Sequence, residues 1–257
     1  MIRDQIIITG ASRGIGREIA RRVATECDRI ALWATNRQKL EEVEKEISDR
    51  SKKVHIEVVD VSDAEQVKKA ITNSAEALGG ICSVVNNAGV ALPGPFDEVS
   101  IADWDRLFNI NMRSVFLVTH YSLPYIRKSG GGCYVNIASE VGRLNQANNV
   151  IYGASKFAVV GFSQGLALEL APEGIRVNAV APGPVETDMW DGAVKTRSVA
   201  EGKSKEQFRQ DILNRIPLGR FPTTKDIAES VAFLLDDEKS AAIIGNTLLV
   251  TCGLTVY

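Results

Sequence analysis

Cysteine and histidine are scarce in this 257-residue chain, which contains four cysteines and two histidines. No CxxC pair is present and no histidine lies near a cysteine, which argues against a disulfide framework and against a zinc site. We interpret the cysteines as small buried hydrophobic residues in a reducing compartment, and His55 and His120 as structural residues. The sequence therefore predicts a chemistry that needs no metal ion.

A strong charge of one sign and long apolar runs are also missing. The formal net charge of -2 and the isoelectric point near 5.8 leave no basic excess for a phosphate backbone, so nucleic acid is not the expected partner. No apolar run reaches the length of a membrane span and no secretory signal pattern is present, which predicts a cytoplasmic protein without a membrane partner. The hydrophobic content of 45% suits one large α/β domain.

Short apolar runs alternate with amphipathic helical patterns along the whole chain. The predicted strands cover residues 6–8, 29–33, 54–59, 83–86, 134–138, 175–181 and 247–250. Strict alternation of apolar strands with helices predicts a parallel sheet that is covered on both faces. One long helix, predicted over residues 101–126, is interrupted by the polar residues Asn109 and Asn111. The charged segment over residues 191–215 predicts a helical lid or a mobile loop.

Three glycines follow the first predicted strand, in the stretch from Thr9 to Gly16 that reads TGASRGIG. Small residues here let the backbone approach a pyrophosphate, whose charge suits the N-terminus of the following helix. The spacing differs from GxGxxG, and no Gly-Lys-Ser/Thr of a P-loop follows. A glycine turn can also serve only to pack a helix on a strand, but the position after the first strand favours nucleotide binding.

The end of the second predicted strand indicates which nucleotide is bound. An acidic side chain at this place would bind the ribose 2′-hydroxyl of NAD(H). The residues from Trp33 to Arg37 contain no carboxylate, and the side chains of Arg13 and Arg37 are available to meet a 2′-phosphate. The sequence therefore favours NADP(H) over NAD(H), whereas two solvated arginines are the structural alternative.

A tyrosine and a lysine, Tyr152 and Lys156, lie four residues apart at the start of a helical pattern and therefore share one face. Ser139 follows the strand predicted over residues 134–138, so its hydroxyl should lie at the sheet edge where ligands bind. The lysine and a second positive group would lower the pKa of the tyrosine, and a shift of about three units corresponds to roughly 4 kcal/mol. Such a tyrosine transfers protons near pH 7.

Taken together and in order, the glycine turn, Asn86-Asn-Ala-Gly89, Asn111, Ser139 and the Tyr152/Lys156 pair resemble the short-chain dehydrogenase/reductase family. The resemblance covers nearly the whole chain, and it is strongest to 3-oxoacyl-acyl-carrier-protein reductases and to sugar or polyol dehydrogenases. It implies a Rossmann-type doubly wound seven-stranded parallel sheet of order 3-2-1-4-5-6-7, in a single domain over residues 1–257 with a substrate lid over 188–216. It also implies a homotetramer, and the helix after Tyr152, apolar on nearly all sides, predicts a subunit interface.

The resemblance also implies roles for individual residues. Tyr152 would be the general acid or base, Lys156 would bind the nicotinamide ribose and lower the pKa of Tyr152, and Ser139 would hydrogen bond the substrate oxygen. Asn111 would hold a helix kink and a water molecule that relays protons. The expected cofactor-binding residues are Gly10, Ser12, Arg13, Gly14, Ile15, Gly16, Thr35, Asn36, Arg37, Asp60, Val61, Asn87, Gly89, Tyr152, Lys156, Pro182, Val185 and Thr187.

The expected reaction is hydride transfer between NADP(H) and a carbonyl or secondary alcohol, with a 3-oxoacyl thioester as the first candidate substrate. A sugar, a polyol or another small carbonyl compound is the alternative. Carrier-protein reductases tend to be basic where this chain has Glu173, and the segment from Thr187 to Arg220 is longer than in those enzymes. The lid cations are interleaved with acidic residues and predict a solvated helix rather than an anion site. These cations are Lys195, Arg197, Lys203, Lys205 and Arg209.

Two other functional classes compete with an oxidoreductase. The stretch Gly161-Phe-Ser-Gln-Gly165 matches the GxSxG motif of hydrolases, but Ser163 lies in a helical pattern and no histidine follows it. A non-catalytic protein that senses NADP(H) is the stronger alternative. The presence of Ser139, Tyr152 and Lys156 favours an enzyme over such a sensor.

Overall fold

The structure is a computed structural model that describes residues 1–51 and 53–256, so the predicted domain end at Tyr257 lies outside the described residues. Within them, strands and helices alternate as predicted. The strands are β1 (Ile6–Thr9), β2 (Arg29–Ala34), β3 (Lys53–Val58), β4 (Ser83–Asn86), β5 (Gly132–Ile137), β6 (Ile175–Pro182) and β7 (Thr247–Val250). The α-helices are α1 (Gly14–Val23), α2 (Arg37–Ile47), α3 (Ala64–Leu78), α4 (Ile101–Phe108), α5 (Ser114–Lys128), α6 (Val150–Leu170), α7 (Asp188–Ala200), α8 (Lys205–Leu213) and α9 (Thr224–Leu235).

The seven strands form one sheet in the order β3-β2-β1-β4-β5-β6-β7, and every neighbouring pair is parallel. This arrangement confirms the predicted doubly wound sheet in a single domain. The direction of the strand order changes beside β1, where Ile6 lies between Ile30 of β2 and Ser83 of β4. Ligands of such sheets bind outside the carboxyl ends of the strands at this switch point.

Helices cover both faces of the sheet, and the three isoleucines of β1 show why the strand is apolar throughout. Ile6 and Ile8 belong to the core that packs against α1, α2 and α9, whereas Ile7 belongs to the core on the side of α3, α5 and α6. All three side chains are fully buried. Each contributes about 1.5 to 3 kcal/mol to the hydrophobic stabilisation of the fold.

The long helix predicted over residues 101–126 is divided by a five-residue π-helical turn, Asn109–Arg113. The side chain of Asn111 lies in this turn and is buried. Its Oδ1 accepts a hydrogen bond from the Val90 amide at 2.8 Å, and its Nδ2 donates to the Val90 carbonyl at 2.9 Å and to Ser155 Oγ at 3.1 Å. The polar interruption in the sequence therefore marks a turn that joins the loop after β4 to α6.

The charged segment after β6 forms the helices α7 and α8, so of the two predicted forms it has the helical one. The side chain of Asp188, at the start of α7, forms an ion pair with Arg13 of the glycine turn at 2.9 Å. Across the described ranges, no helix combines the length and the apolar character that crossing a membrane requires.

Candidate active site

A cleft of about 960 Å³ opens at the carboxyl ends of the strands and runs from the glycine turn to α7. Most predicted site residues line it, namely Gly10, Ser12, Arg13, Gly14, Ile15, Gly16, Thr35, Asp60, Val61, Asn87, Gly89, Ser139, Tyr152, Lys156, Pro182, Val185 and Thr187. Asn36, Arg37 and Asn111 are not among the described residues that line the cleft. Most of the predicted nucleotide-binding residues and most of the predicted catalytic residues therefore line one cleft.

The glycine turn at one end of the cleft is shaped by backbone conformations and contacts that only glycine permits. Gly10 and Gly14 have φ angles of +64° and +54°, in the left-handed region. A Cβ atom on Gly16 would lie 2.2 Å from the Gly10 carbonyl oxygen and 2.5 Å from Asn87 Nδ2. That amide nitrogen holds the turn by donating to the carbonyls of Thr9 at 2.9 Å and Gly10 at 3.2 Å.

The start of α1 adds hydrogen-bond donors to this turn. Arg13 precedes the helix, and its side chain makes no capping hydrogen bond within the described part of the chain. The first amides of a helix lack partners within the helix and carry the positive end of its dipole. A glycine-rich backbone beside helix amides that lack a partner within the helix suits a pyrophosphate. The residues of the turn therefore fit the dinucleotide that the sequence predicts.

The predicted 2′-phosphate arginines are both engaged with acidic side chains. Arg13 contacts Asp188, and Arg37 lies 3.6 Å from Glu41 with its side chain 66% exposed. Asn36 accepts a hydrogen bond from the Lys39 amide at 2.9 Å and so caps α2. Lys39, which was not singled out from the sequence, lines the cleft together with Thr35 and Arg13. Its place in the first turn of the helix after β2 is the signal that could have found it.

Tyr152 and Lys156 lie in the first two turns of α6, beside the strand end that carries Ser139. Lys156 is only 4% exposed, and its Nζ donates to the Ile137 carbonyl at 2.8 Å. The same atom lies 5.9 Å from the centre of the Tyr152 ring. The structure therefore groups a phenol, an ammonium and a hydroxyl at the carboxyl end of β5.

The pKa of Tyr152 lies above its ordinary value in this site. Burial raises the pKa of the phenol to about 12, a side-chain interaction with Ser139 lowers it, and the charge of Glu140 raises it. The predicted lowering required a second positive group beside Lys156, and without that group burial has the largest effect on the pKa of the phenol. Burial also lowers the pKa of Lys156 to about 8, since the ammonium is the charged form.

Gly89 and Ser155 lie next to the catalytic side chains predicted on α6. A Cβ atom on Gly89 would lie 3.4 Å from Asn111 Oδ1 and 3.5 Å from Lys156 Nζ, so the Gly89 backbone borders both side chains. Ser155 Oγ accepts from Asn111 and donates to the Tyr152 carbonyl at 2.7 Å. Ser155 was not singled out from the sequence, although it lies between Tyr152 and Lys156. Through it the π-helical turn positions the first turn of α6.

Lys156→Met is expected to stabilise the protein at pH 7 by about 1 to 2 kcal/mol. The lowered pKa means that the folded state carries a buried charge at a cost of about 3 kcal/mol, and loss of the hydrogen bond to Ile137 takes back part of the gain. Because the folded pKa lies below the unfolded value of 10.5, the cost is complete below pH 8 and disappears as the pH approaches 10.5. Denaturant unfolding of both proteins at pH 7 and pH 10 measures this difference, and a gain that grows at pH 10 contradicts it.

The other end of the cleft is lined by side chains that the sequence analysis did not place there, including Glu140, Trp190 and Arg215. Arg197 also lines it and has a side chain that is only 13% exposed. The prediction of a solvated lid helix is therefore wrong for Arg197, because it points inward from α7. For Lys203, by contrast, pairing with an acidic neighbour is confirmed by its contact with Asp211 at 2.8 Å.

The hydrolase motif has a structural explanation. Ser163 lies inside α6, is buried, and donates to the Val159 carbonyl at 2.7 Å. It accepts a hydrogen bond from Asn136 Nδ2 at 2.8 Å. The structural interpretation of this serine is confirmed, since it has no exposed position at a strand-to-helix turn.

Comparison with known proteins extends these observations. The sequence profile of the short chain dehydrogenase family matches residues 4–198. The chain is 34% identical over 250 residues to the 3-oxoacyl-acyl-carrier-protein reductase FabG of Thermotoga maritima, covering 97% of each protein. A solved actinorhodin polyketide ketoreductase with NADPH is similar with a TM-score of 0.92 and 34% identity, over 98% of this chain and 97% of the other.

A solved NAD⁺-bound xylitol dehydrogenase is similar with the same TM-score of 0.92, at 30% identity and over 96% of this chain and 97% of the other. The sheet order, the glycine turn and the grouped side chains agree with these similarities. The chain therefore belongs to the short-chain dehydrogenase/reductase family, and it is an oxidoreductase that acts on CH–OH groups.

Proposed function

We propose that the protein transfers a hydride between NADP(H) and a carbonyl or secondary alcohol, with a 3-oxoacyl thioester as the favoured substrate. The proposal rests on one observation. Tyr152, Lys156 and Ser139 lie together in the cleft that begins at the glycine turn. The name of the Thermotoga maritima relative, a 3-oxoacyl-acyl-carrier-protein reductase, supports the substrate.

The residues that would hold the cofactor follow the length of the cleft. The turn from Gly10 to Gly16 would bind the pyrophosphate, because it lines the cleft at the N-terminus of α1. Asp60 and Val61 would border the adenine, and Asn87 and Gly89 the adjoining ribose. Val185 and Thr187, with Pro182, would border the nicotinamide amide. Lys156 would donate hydrogen bonds to the nicotinamide ribose.

When bound, NADP(H) would supply or accept the hydride, and its oxidised nicotinamide would be the second positive group that the lowered tyrosine pKa requires. The side chains act on the carbonyl oxygen. Ser139 and Tyr152 donate hydrogen bonds to it, and Tyr152 transfers its proton as negative charge develops. Lys156 holds its ammonium near the phenol and stabilises the phenolate that this transfer leaves. In the oxidative direction Tyr152 accepts the proton instead.

Lys39→Ala is expected to weaken NADPH binding by about tenfold and to leave NADH binding within about twofold. Lys39 lines the cleft beside Thr35, and one charge-assisted contact to a 2′-phosphate contributes about 1.5 kcal/mol. Arg37→Ala is the matched control, because Arg37 is exposed and lies beside Glu41 outside the lining residues. Titration of both cofactors followed by fluorescence measures the change. A larger loss of NADPH affinity in Arg37→Ala than in Lys39→Ala would show that Arg37, and not Lys39, binds the 2′-phosphate.

A small carbonyl compound or polyol is the second candidate substrate, and a surface ion pair favours it. Arg127 donates to Glu173 through Nε and Nη2, each at 2.6 Å. This pairing neutralises a cation beside the C-terminal end of α6, where carrier-protein reductases tend to be basic. The name of the xylitol dehydrogenase points in the same direction.

We also propose a lid and an assembly. Residues 188–216, which contain α7 and α8, would close over the substrate, since α7 borders the cleft.

A homotetramer would cover apolar side chains that α5 and α6 leave exposed, such as Phe116, Phe157 and Leu168, which are 47%, 44% and 74% exposed. A cytoplasmic location fits the reducing compartment that the cysteines suggest. Light scattering of the purified protein tests the tetramer.

The proposed reaction is tested by following the absorbance of NADPH with acetoacetyl thioesters, sugars, diketones and aromatic ketones, and by repeating the series with NADH. We expect the fastest consumption of NADPH with the thioester and slower consumption with NADH. If small ketones or sugars are reduced and the thioester is not, the second candidate replaces the first.

A further inference from the structure

Two buried hydrogen-bond donors at the α7 end of the cleft lack a partner. They are Trp190 Nε1 and Arg197 Nε, and no acceptor among the described residues meets either of them. Both residues belong to α7 and lie seven positions apart, which places them two turns apart on the same side of the helix. Both also line the cleft. Indole and guanidinium nitrogens only donate, so the missing partner is a group of acceptor atoms.

Arg197 is the stronger of these two donors and is held in place without a close acceptor. Its guanidinium carbon lies 5.0 Å from the centre of the Phe208 ring. Its contacts with oxygen are long, at 3.5 Å from Nη2 to Gln146 Oε1 and 3.9 Å from Nη2 to Glu201 Oε1. Burial lowers the pKa of Arg197, and the charges of Glu201 and Glu140 oppose this effect. A buried guanidinium without a close anion is costly, so a ligand that supplies one would bind here.

A second guanidinium and one carboxylate complete the surroundings. Arg215 is exposed at the same end of the cleft and forms no ion pair within the described ranges. Glu140 accepts a hydrogen bond from Thr255 Oγ1 at 3.0 Å, and burial raises the pKa of its carboxyl. Two guanidinium groups therefore lie at this end of the cleft together with the carboxylates of Glu140 and Glu201, and Arg197 Nε forms a hydrogen bond with neither of them within the described residues. Because Glu140 directly follows Ser139, these groups adjoin the place proposed for the substrate oxygen.

We propose that Arg197, assisted by Arg215 and Trp190, binds a carboxylate of the substrate and so selects oxo acids or hydroxy acids. The inference rests on the proposed function, because it assumes that the reacting oxygen lies at Tyr152. Nε and an Nη atom of one guanidinium match the two oxygens of a carboxylate, which is why arginine binds this group with high geometric specificity. A 3-oxoacyl thioester that ends in a carboxylate satisfies both proposals.

The test compares acids with their uncharged esters. Acetoacetate and levulinate, each beside its methyl ester, are reduced with saturating NADPH, and the ratio of kcat/KM for acid over ester is measured. We expect a ratio of about 10 to 100 in the wild type and a ratio near one in Arg197→Met, because two charge-assisted hydrogen bonds are lost. Lys195→Met is the matched control, since Lys195 is exposed on the same helix, and it should keep the wild-type ratio. If Arg197→Met does not fold, Arg197→Lys replaces it, with a ratio at least about fivefold lower than in the wild type.

Equal kcat/KM values for acid and ester in the wild type, or an unchanged ratio in the Arg197 variants, would overturn the inference. Binding is measured separately from hydride transfer by calorimetric titration of butanoate into the protein with NADPH. If butanoate binds the wild type and not Arg197→Met, the carboxylate site is supported, even when neither ketone is reduced. A failure to reduce either ketone would count against the proposed reaction and not against the carboxylate site. Equal binding in both proteins, or none in the wild type, contradicts the site.

Discussion

Tyr152→Phe is expected to lower kcat by a factor of about 10³ to 10⁵ while the dissociation constant for NADPH stays within about threefold of the wild type. The variant loses only the phenolic oxygen, which is the proposed proton donor and one of the two proposed hydrogen-bond donors to the substrate oxygen. The glycine turn and Lys156 remain, and they carry the proposed contacts with the cofactor. Stopped-flow measurement of NADPH oxidation, together with fluorescence titration of NADPH, separates the two effects.

The control for this variant is Tyr121→Phe. Tyr121 lies in α5 outside the described residues that line the cleft, and its ring packs against His120 with 5.2 Å between the ring centres. The Tyr121→Phe substitution removes the same phenolic oxygen from a half-buried tyrosine, and it should leave kcat within about twofold of the wild type. Turnover of Tyr152→Phe at the wild-type rate would remove Tyr152 from its proposed role and would direct attention to Ser139.

Gly16→Ala is expected to abolish measurable NADPH binding and to lower the free energy of unfolding by about 3 kcal/mol or more. The new Cβ atom would lie 2.2 Å from the Gly10 carbonyl oxygen and 2.5 Å from Asn87 Nδ2. The first of these atoms belongs to the backbone and the second holds the glycine turn, so neither moves without opening the turn. Denaturant unfolding and calorimetric titration of NADPH measure the two losses.

Gly192→Ala supplies the matched control for the added methyl group. Gly192 lies inside α7, and a Cβ atom there meets no described atom within 4 Å. Alanine is favoured over glycine in a helix by about 0.5 to 1 kcal/mol, so this variant should be as stable as the wild type or slightly more stable. It should bind NADPH normally. Wild-type NADPH affinity in Gly16→Ala would show that the cofactor does not need a tight turn between β1 and α1.

The sequence was sufficient to predict features that depend on local patterns. The isoleucines of β1 are buried on both sides, and this required a continuous apolar run that is visible without a structure. An aspartate before a helical pattern indicates an N-cap, and Asp63 caps α3 by accepting hydrogen bonds from the amides of Glu65 and Gln66. The amphipathic pattern of residues 224–235 predicts a helix, and α9 has the same bounds.

Features that depend on tertiary packing were missed or mistaken. The charged pattern of α7 gives no sign that Arg197 turns inward while its neighbour Lys195 stays exposed, since the difference lies in the packing of α7 on the cleft. Lys39 lines the cleft and was missed, whereas Arg37, which was chosen for its distance from β2, does not line the cleft and stays a prediction for the cofactor. The pKa of Tyr152 was predicted from its charged neighbours alone, and the larger effect of burial cannot be read from spacing.

We propose that this chain moves a hydride to a carbonyl carbon while Tyr152 supplies the proton. This is tested by incubating the protein with acetoacetyl thioester and NADPH that carries deuterium at both C4 positions, and by analysing the product by mass spectrometry. We expect one deuterium on the carbon that bears the new hydroxyl group in the wild type, and almost none in Tyr152→Phe over the same time. Unlabelled hydroxy product, or NADPH binding without any product from any carbonyl compound, would contradict it, and the second result would identify a protein that senses the cofactor.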